Sequence, residues 1–278
     1  MVIAIDDGRH FFIFPRTVNI KLSAGASFPF KGESPVVLTA HYDRVSGSPG
    51  ANDNSAAVFQ LLSAALRLGE QLKSAKNSRI EIPGLRQWII IFTDKEELQK
   101  GDGIQKQGSY SLAKKLKSWG LSKALIFNFD ACGTGDTFVF SGTADYLIKR
   151  NTKPGLYRAS HIIKQLHEKA FEAVKKIHYN RAITLPVPFS DDAGFLRGGI
   201  PAQTITMLPA SEAAPFAALL RTDPVFSGKI ITGPVKPADR LLFPETWRCL
   251  NSPSDSHLRL TPLYYENVVR FMTELCKL

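Results

Sequence analysis

The chain has 278 residues and a formal net charge of +10, and 44% of its residues are hydrophobic. This length and composition indicate a globular protein with a full hydrophobic core. No apolar run approaches the roughly 20 residues of a membrane-spanning helix, so we expect no membrane association. The three cysteines, Cys132, Cys249 and Cys276, form no CxxC pair. The sequence therefore predicts neither a disulfide framework nor a thiolate metal site.

A positive charge of this size can attract nucleic acid or an acidic substrate. The basic residues, however, are dispersed through stretches such as SLAKKLKSW and HEKAFEAVKKIHYNR, where apolar residues recur at helical spacing. This pattern is typical of solvated helix faces, and we expect no nucleic-acid partner. The first residues, MVIAIDDGRH, are acidic where a secretory signal would be basic, which predicts a cytoplasmic protein.

Apolar runs of strand length alternate with amphipathic stretches along the chain. The early segments FFIFP and TVNIKL predict edge or antiparallel strands. The later predicted strands are SPVVLTAH, RQWIIIFTD, KALIFNFD and IPAQTITML. The predicted helices are NSAAVFQLLSAALRL, GSYSLAKKLKSWG, GLYRASHIIKQLHEKAFEAVKKI and TPLYYENVVRFMTELCKL.

Continuous apolar strands separated by helices predict an α/β fold, with a mostly parallel mixed sheet covered by helices on both faces in a three-layer sandwich. We expect a single domain over residues 1–278. Residues 209–250 have several prolines and little periodicity, and they are interpreted as a lid-like excursion.

Polar residues follow the predicted strands. His41 and Asp43 follow VVLTA, Glu96 and Glu97 follow WIIIFT, and Asp130 follows ALIFNF. Asp53 stands at the start of the first crossover helix. The carboxyl ends of parallel strands share one edge of a sheet, so these groups should meet there. So many carboxylates would repel one another unless a divalent cation neutralises them. Mixed histidine and carboxylate ligands suit zinc, with manganese and cobalt as alternatives.

Each residue also has an ordinary structural interpretation when it is taken singly. His41 alone could be a core histidine, Asp53 an N-cap and Asp130 a strand-terminating residue. The Glu96–Glu97 pair could be solvated. Only the occurrence of all of them at successive strand ends favours a metal site. In such a site one glutamate could bind metal while the other moves protons, and Asp43 could fix the tautomer of His41.

These motifs resemble the zinc-dependent exopeptidases that include bacterial leucyl aminopeptidases and, in related branches, glutaminyl cyclases. The matching pieces, in the family's order, are AHYD (40–43), GANDNSAA (50–57), FTDKEE (92–97), GS (108–109), NFDACGTGD (128–136), FSDDAGF (189–195), GGIPA (198–202) and NSPSD (251–255). They extend over nearly the whole chain.

The resemblance implies a role for each matching residue. His41 and Asp130 would hold one metal and Glu97 the other, with Asp53 bridging the two. Glu96 would be the general base, and Asp43 would support His41. A carboxylate near the metals would hold the substrate's ammonium group, and Asp191 is a candidate.

One departure concerns the last metal ligand. The family has a histidine in a pattern like H-T-x-x-D, whereas this chain has Asn251 in NSPSD. An asparagine carbonyl is a weak zinc ligand, and His257, six residues later, is an alternative. The sequence therefore predicts one zinc, with the second position in doubt.

We expect a metal-dependent aminopeptidase-like hydrolase that acts on peptides. Two alternatives stay open. One is a degenerate member of the family with a binding role, and the other is a glutaminyl-cyclase-type acyltransferase.

Overall fold

The computed structural model describes the backbone of residues 2–4, 10–12 and 20–24, and residues 34–78, 82–149, 153–188, 190–232 and 236–278. The strands, in chain order, are β1 (Val2–Ala4), β2 (His10–Phe12), β3 (Ile20–Ala24), β4 (Val36–His41), β5 (Trp88–Thr93), β6 (Leu125–Phe129), β7 (Thr137–Ser141), β8 (Ala182–Leu185) and β9 (Ala202–Leu208). The helices are α1 (Ala56–Ser78), α2 (Gly108–Ser118), α3 (Thr143–Lys149), α4 (Pro154–Lys176), α5 (Asp191–Gly198), α6 (Ala210–Thr222), α7 (Pro224–Thr232), α8 (Pro237–Arg240), α9 (Glu245–Cys249) and α10 (Tyr265–Leu275).

Seven strands form one mixed sheet in the order β3-β5-β4-β6-β9-β7-β8. The central strands β5, β4, β6 and β9 run parallel, while β3 and β7 are antiparallel to their neighbours β5 and β9. Strands β1 and β2 form a separate antiparallel pair. The prediction of an edge strand within TVNIKL is confirmed by β3. The prediction for FFIFP is met only by Phe11 and Phe12 in β2, since residues 13–15 lie outside the described residues.

Helices cover both faces of the sheet, as the continuous apolar strands predict. Val36, Leu38 and Ala40 of β4 point into one core with α1, α4 and α10, whereas Val37 points into a second core with α2 and α5. This alternation follows from the period of two along a strand. The predicted three-layer α/β fold is confirmed. Within the described part of the chain, no helix is both long enough and apolar enough to cross a membrane.

Residues 209–250, interpreted from the sequence as a lid-like excursion, contain helices α6 to α9. Phe216, Phe226, Phe243 and Trp247 pack edge to face or tilted against one another and form a small core over β7 and β8. These aromatic residues come from short helices and the turns between them, so no single helical period connects them in the sequence. The short strands β7 and β8 were also not predicted.

Candidate metal centre

The polar residues predicted at the strand ends do meet at one edge of the sheet. His41 is the last residue of β4, Glu96 and Glu97 follow β5, and Asp130 follows β6. Since β4 pairs in parallel with both β5 and β6, the three carboxyl ends lie side by side. Asp53 lies in the irregular turn Ala51–Ser55 that leads into α1.

His41, Asp53 and Asp130 form a compact group in which one ligand atom of each lies within 4.8 Å of the others. His41 Nε2 is 3.0 Å from Asp53 Oδ1 and 3.6 Å from Asp130 Oδ1. Two ligands of a tetrahedral zinc ion, each about 2.1 Å from the metal, lie about 3.4 Å apart. The two distances therefore bracket the separation that zinc coordination requires.

The tautomer of His41 follows from its other ring nitrogen. His41 Nδ1 is 3.2 Å from the backbone carbonyl of Asp43, which can only accept a hydrogen bond. In the neutral ring the proton therefore lies on Nδ1, and the lone pair of Nε2 faces the carboxylates. In the protonated ring, which these carboxylates favour, Nε2–H faces them instead. Nε2 is buried and makes no hydrogen bond of regular geometry within the described residues, although Asp53 Oδ1 lies only 3.0 Å away. Such a nitrogen is ready to bind a cation.

Asp43 acts on this site in two ways. Its backbone carbonyl, rather than its carboxylate, is the nearer partner of His41, because the carboxylate oxygen is 3.5 Å away. The carboxylate accepts hydrogen bonds from the backbone N–H groups of Glu96, at 3.3 Å, and Glu97, at 3.1 Å. Asp43 thereby joins the end of β4 to the turn that carries both glutamates.

A residue close to the C-terminal end of the chain holds the turn that carries Asp53 through hydrogen bonds. The buried carboxylate of Asp255 accepts hydrogen bonds from the backbone N–H groups of Asn52, at 2.8 Å, and Asp53, at 3.1 Å. The Asn54 side chain donates to the carbonyl of Phe129, at 2.8 Å, next to Asp130. Sequence reasoning assigned no role to Asp255, although it closes the NSPSD piece that matches the family pattern.

Asp130 is oriented by a chain of buried polar groups. Ser190 donates to Asp130 Oδ2 at 2.6 Å, and Asn128 donates to Ser190 at 2.9 Å. Thr39 donates in turn to Asn128 at 3.0 Å. Ser190, Asn128 and Thr39 were not recognised from the sequence. The only signal was one polar residue inside each of the apolar strands β4 and β6.

The two glutamates differ in their surroundings. Glu96 is buried, and this burial, together with the charges of Asp130, Asp191 and Glu97, raises its pKa well above the ordinary value. Glu97 is half-buried, and burial and the charge of Asp53 raise its pKa to about 8. Its Oε1 is buried without a hydrogen-bond partner in the described part of the chain. Lys95, just before the pair, has a positive φ of 59°, an uncommon conformation for a residue other than glycine.

Burial and the neighbouring charges shift the pKa values of several titratable groups in this cluster. Burial and the neighbouring Asp130 raise the pKa of Asp53. Burial alone would lower the pKa of His41, but Asp130, Asp43 and Asp53 raise it well above the ordinary value. Each of these shifts marks a need for positive charge. The residues fit one zinc ion, because three protein ligands with a fourth position left open is the usual arrangement of catalytic zinc.

A cavity of about 110 Å³ lies at this group. Asp53, Glu96 and Asp130 contribute the acidic part of its lining. The remaining lining includes hydroxyl-bearing and apolar residues, which are Val187, Pro188, Ser190, Thr204 and Thr206. It also includes residues of the 209–250 segment and the residue that follows it, which are Arg240, Phe243, Trp247, Leu250 and Asn251. Sequence reasoning missed Arg240, Phe243 and Trp247, which belong to a segment without visible periodicity.

The structure provides only some of the ligands for the second metal position, which the sequence leaves in doubt. Asn251 lies at the cavity with an exposed side chain and a positive φ of 60°, a conformation that asparagine tolerates well. Glu97 is not part of the compact group of His41, Asp53 and Asp130. His257 is exposed and lines a different cavity, next to Tyr264 and Leu260. The structure therefore places His257 outside the lining of the cavity that Asp53, Glu96 and Asp130 share.

The structure places Asp191, the candidate for holding a substrate's ammonium group, in the interior. Asp191 is fully buried and is not among the residues that line the cavity. Its Oδ2 accepts a hydrogen bond of 2.5 Å from Thr93 at the end of β5. Burial raises its pKa to about 6. Asp191 therefore acts on the site in this structure through its charge, which contributes to the raised pKa of Glu96, and not as part of the cavity lining.

Solved structures with the same fold include a zinc aminopeptidase from Bacillus subtilis, at 20% identity and a TM-score of 0.53, covering 90% of this chain and 47% of that one. A leucine aminopeptidase precursor from Bacteroides thetaiotaomicron has 16% identity and a TM-score of 0.57, with coverage of 93% and 76%. A glutaminyl cyclase from the same organism, bound to N-acetylhistamine, has 18% identity and a TM-score of 0.57, with coverage of 98% and 79%. The chain thus spans about half the length of the Bacillus relative.

A search of curated protein sequences gives no match. The model of Peptidase family M28, in contrast, matches residues 20–224, which is most of the chain and includes His41, Asp53, Glu96, Glu97 and Asp130. This match agrees with the resemblance found in the motifs and with the fold. The chain belongs to Peptidase family M28.

Proposed function

We propose that this protein is a metal-dependent aminopeptidase-like hydrolase that removes N-terminal residues from peptides. The observation that carries the proposal is the convergence of His41, Asp53 and Asp130 at zinc-ligand separations, with the buried Glu96 in the same cavity wall. Membership of Peptidase family M28 and the fold shared with zinc aminopeptidases support it.

His41, Asp53 and Asp130 would hold one zinc ion. When bound, zinc supplies Lewis acidity, which polarises the scissile carbonyl and makes water nucleophilic at neutral pH. Glu96 takes the proton of the attacking water on its carboxylate and passes it to the leaving amine nitrogen. The burial of Glu96 suits this role, since a raised pKa makes its carboxylate a stronger base toward the proton of the attacking water.

The second position, built from Asp53, Glu97 and Asn251, lacks the imidazole that the family pattern has. An amide oxygen is a poor zinc ligand compared with imidazole. We therefore propose one zinc per chain. The remaining negative charge at the floor of the cavity favours the positively charged α-amino group of a peptide. This preference would separate N-terminal from internal peptide bonds.

We also propose that the whole chain works as one catalytic domain, with residues 209–250 as a cover over the site. Arg240, Phe243 and Trp247 from this segment line the cavity, and the segment packs on β7 and β8 through its own aromatic core. A cover of this kind excludes water from the reacting groups and shapes the pocket for the side chain of the substrate.

The proposal is tested with aminoacyl arylamides and glutaminyl peptides in the presence of zinc, manganese or cobalt. We expect Glu96→Gln to lower kcat by about 10²- to 10⁴-fold without loss of bound zinc. Glu172→Gln is the matched control, because Glu172 is an exposed residue on α4 paired with Lys176.

The possible outcomes separate the candidate functions. Metal-dependent release of the arylamine supports the hydrolase. Conversion of glutaminyl peptides to a cyclic product without hydrolysis would instead support the cyclase-type acyltransferase. If no substrate reacts with any metal, and wild type equals Glu96→Gln, the catalytic function is wrong. Bound zinc in that case would favour the binding role, which the asparagine at position 251 also favours.

A further inference from the structure

We propose that the cavity selects peptides that carry a carboxylate group, and that Arg240 is the residue that recognises this carboxylate. The inference rests on the proposed peptidase function and names the class of substrate for the same site. It concerns specificity, because Arg240 lies apart from the groups that hold metal or move protons.

Arg240 is the last residue of α8, and its side chain is exposed where it lines the cavity. Asp53 and Glu96, which line the same cavity, are only 6% and 7% exposed. Buried carboxylates thus form the floor of the cavity, and the guanidinium lies at its mouth. Arg240 is the only cationic side chain among the described residues that line the cavity.

The guanidinium of Arg240 is available for a ligand. In the described part of the chain it has no ion-pair partner. The four acidic residues of segment 209–250 have other partners: Asp239 lies 3.4 Å from Lys229, Glu245 lies 3.0 Å from Arg259, Glu212 accepts from Thr246, and Asp223 accepts from the backbone of Phe226. The carboxylate next to Arg240 in sequence is therefore already neutralised by a lysine.

The charge distribution decides where an anionic group of a substrate can lie. The carboxylates of Asp53, Glu96 and Asp130 repel it from the floor, and Arg240 attracts it at the mouth. Phe243 and Trp247, both buried, add an apolar part to the lining of the same cavity. A peptide bound with its amino group at the floor would place a second, negative group toward Arg240. The net charge of +10 adds a longer-range attraction for acidic peptides.

The carboxylate could belong to an acidic N-terminal side chain or to the C-terminus of a short peptide. Two substrate pairs distinguish these sources. A glutamyl arylamide is compared with its neutral isostere, the glutaminyl arylamide, and the dipeptide Leu-Leu is compared with Leu-Leu amide. For at least one pair we expect the acidic member to have a KM about two- to fivefold lower at low salt, which is the range of an exposed ion pair. The preference should fall as salt rises to about 0.5 M.

Arg240→Gln should abolish the preference, and Arg240→Lys should keep part of it. The matched control is Arg248→Gln, which removes the same charge from an exposed site on α9 that does not line the cavity, and which should keep the full preference. Thermal unfolding of each variant shows whether it is folded.

The same peptides are also titrated by calorimetry into zinc-loaded Glu96→Gln protein, which measures binding without turnover. If no peptide is hydrolysed, the proposed function fails, whereas tighter binding of the acidic peptides that Arg240→Gln removes still supports Arg240. Hydrolysis with equal KM values in both pairs overturns the role of Arg240 alone. A preference that persists in Arg240→Gln, or no binding of any peptide, overturns it as well.

Discussion

Asp255 offers a direct test of how the candidate site is positioned. Its carboxylate accepts hydrogen bonds from the backbone N–H groups of Asn52 and Asp53, and the residue is 2% exposed. In Asp255→Ala both N–H groups, which belong to buried residues, lose their acceptor. Asp53 then loses the contact that fixes the backbone of its turn.

The magnitude follows from these two contacts. A buried donor left without a partner costs about 1–3 kcal/mol, so two of them cost about 4 kcal/mol. With an unfolding entropy of about 2.1 cal/mol/K per residue, 278 residues give about 0.6 kcal/mol/K. We therefore expect Asp255→Ala to lower Tm by about 7 °C. Asp255→Asn keeps one acceptor oxygen and should lower Tm by about half as much.

The assay is thermal unfolding without metal, followed by zinc titration of the folded protein. Because Asp255 orients a ligand, zinc affinity should fall about 10- to 100-fold. Asp102→Asn is the matched control, since Asp102 pairs with Lys106 at the surface, and it should change neither quantity measurably. Unchanged Tm and zinc affinity in Asp255→Ala would refute the argument that this carboxylate holds the turn of Asp53.

Three further predictions concern the metal and the buried charges. Zinc at 100 times its Kd should raise the free energy of unfolding of the wild type by about 2.7 kcal/mol, and His41→Asn should lose this gain in thermal melts. Asn251→His should raise bound zinc from one to two per chain by elemental analysis, while Asn251→Gln should stay at one. Burial raises the pKa of Asp191 to about 6, above about 3.9 in the unfolded chain, so the metal-free protein loses stability as pH rises through this range. The stabilisation of Asp191→Asn relative to wild type should therefore be about 2 kcal/mol larger at pH 8 than at pH 4 in EDTA. An equal difference at both pH values would contradict this.

Much of the candidate site could be predicted because its members lie at the ends of recognisable strands. His41 and Asp130 end or follow apolar runs whose parallel pairing brings them together. Glu96 and Glu97 follow the next strand in the sheet. Asp53 stands at the helix start that the pattern of α1 predicts. A local pattern was sufficient for these residues, because parallel pairing brings the carboxyl ends of the strands to one edge of the sheet.

Other parts of the site depend on contacts that no local pattern carries. Ser190 reaches Asp130 across 60 positions, and Asp255 reaches Asn52 across 203. Asp191 is buried and accepts a hydrogen bond from Thr93, and His257 is exposed and lines another cavity. Neither environment is visible in the sequence. Whether a side chain faces a cavity or packs beneath it depends on the elements packed around it.

By itself the sequence determined the order of the main strands and helices, the α/β class and the edge where the polar residues gather, because the periods of strands and helices are local properties of the chain. Only the tertiary structure decided that three of these residues form a compact group, that the 209–250 segment folds into helices, and that Arg240 lies at the mouth of the cavity. These features arise from contacts between residues far apart in the chain, where burial and distance depend on how whole elements pack.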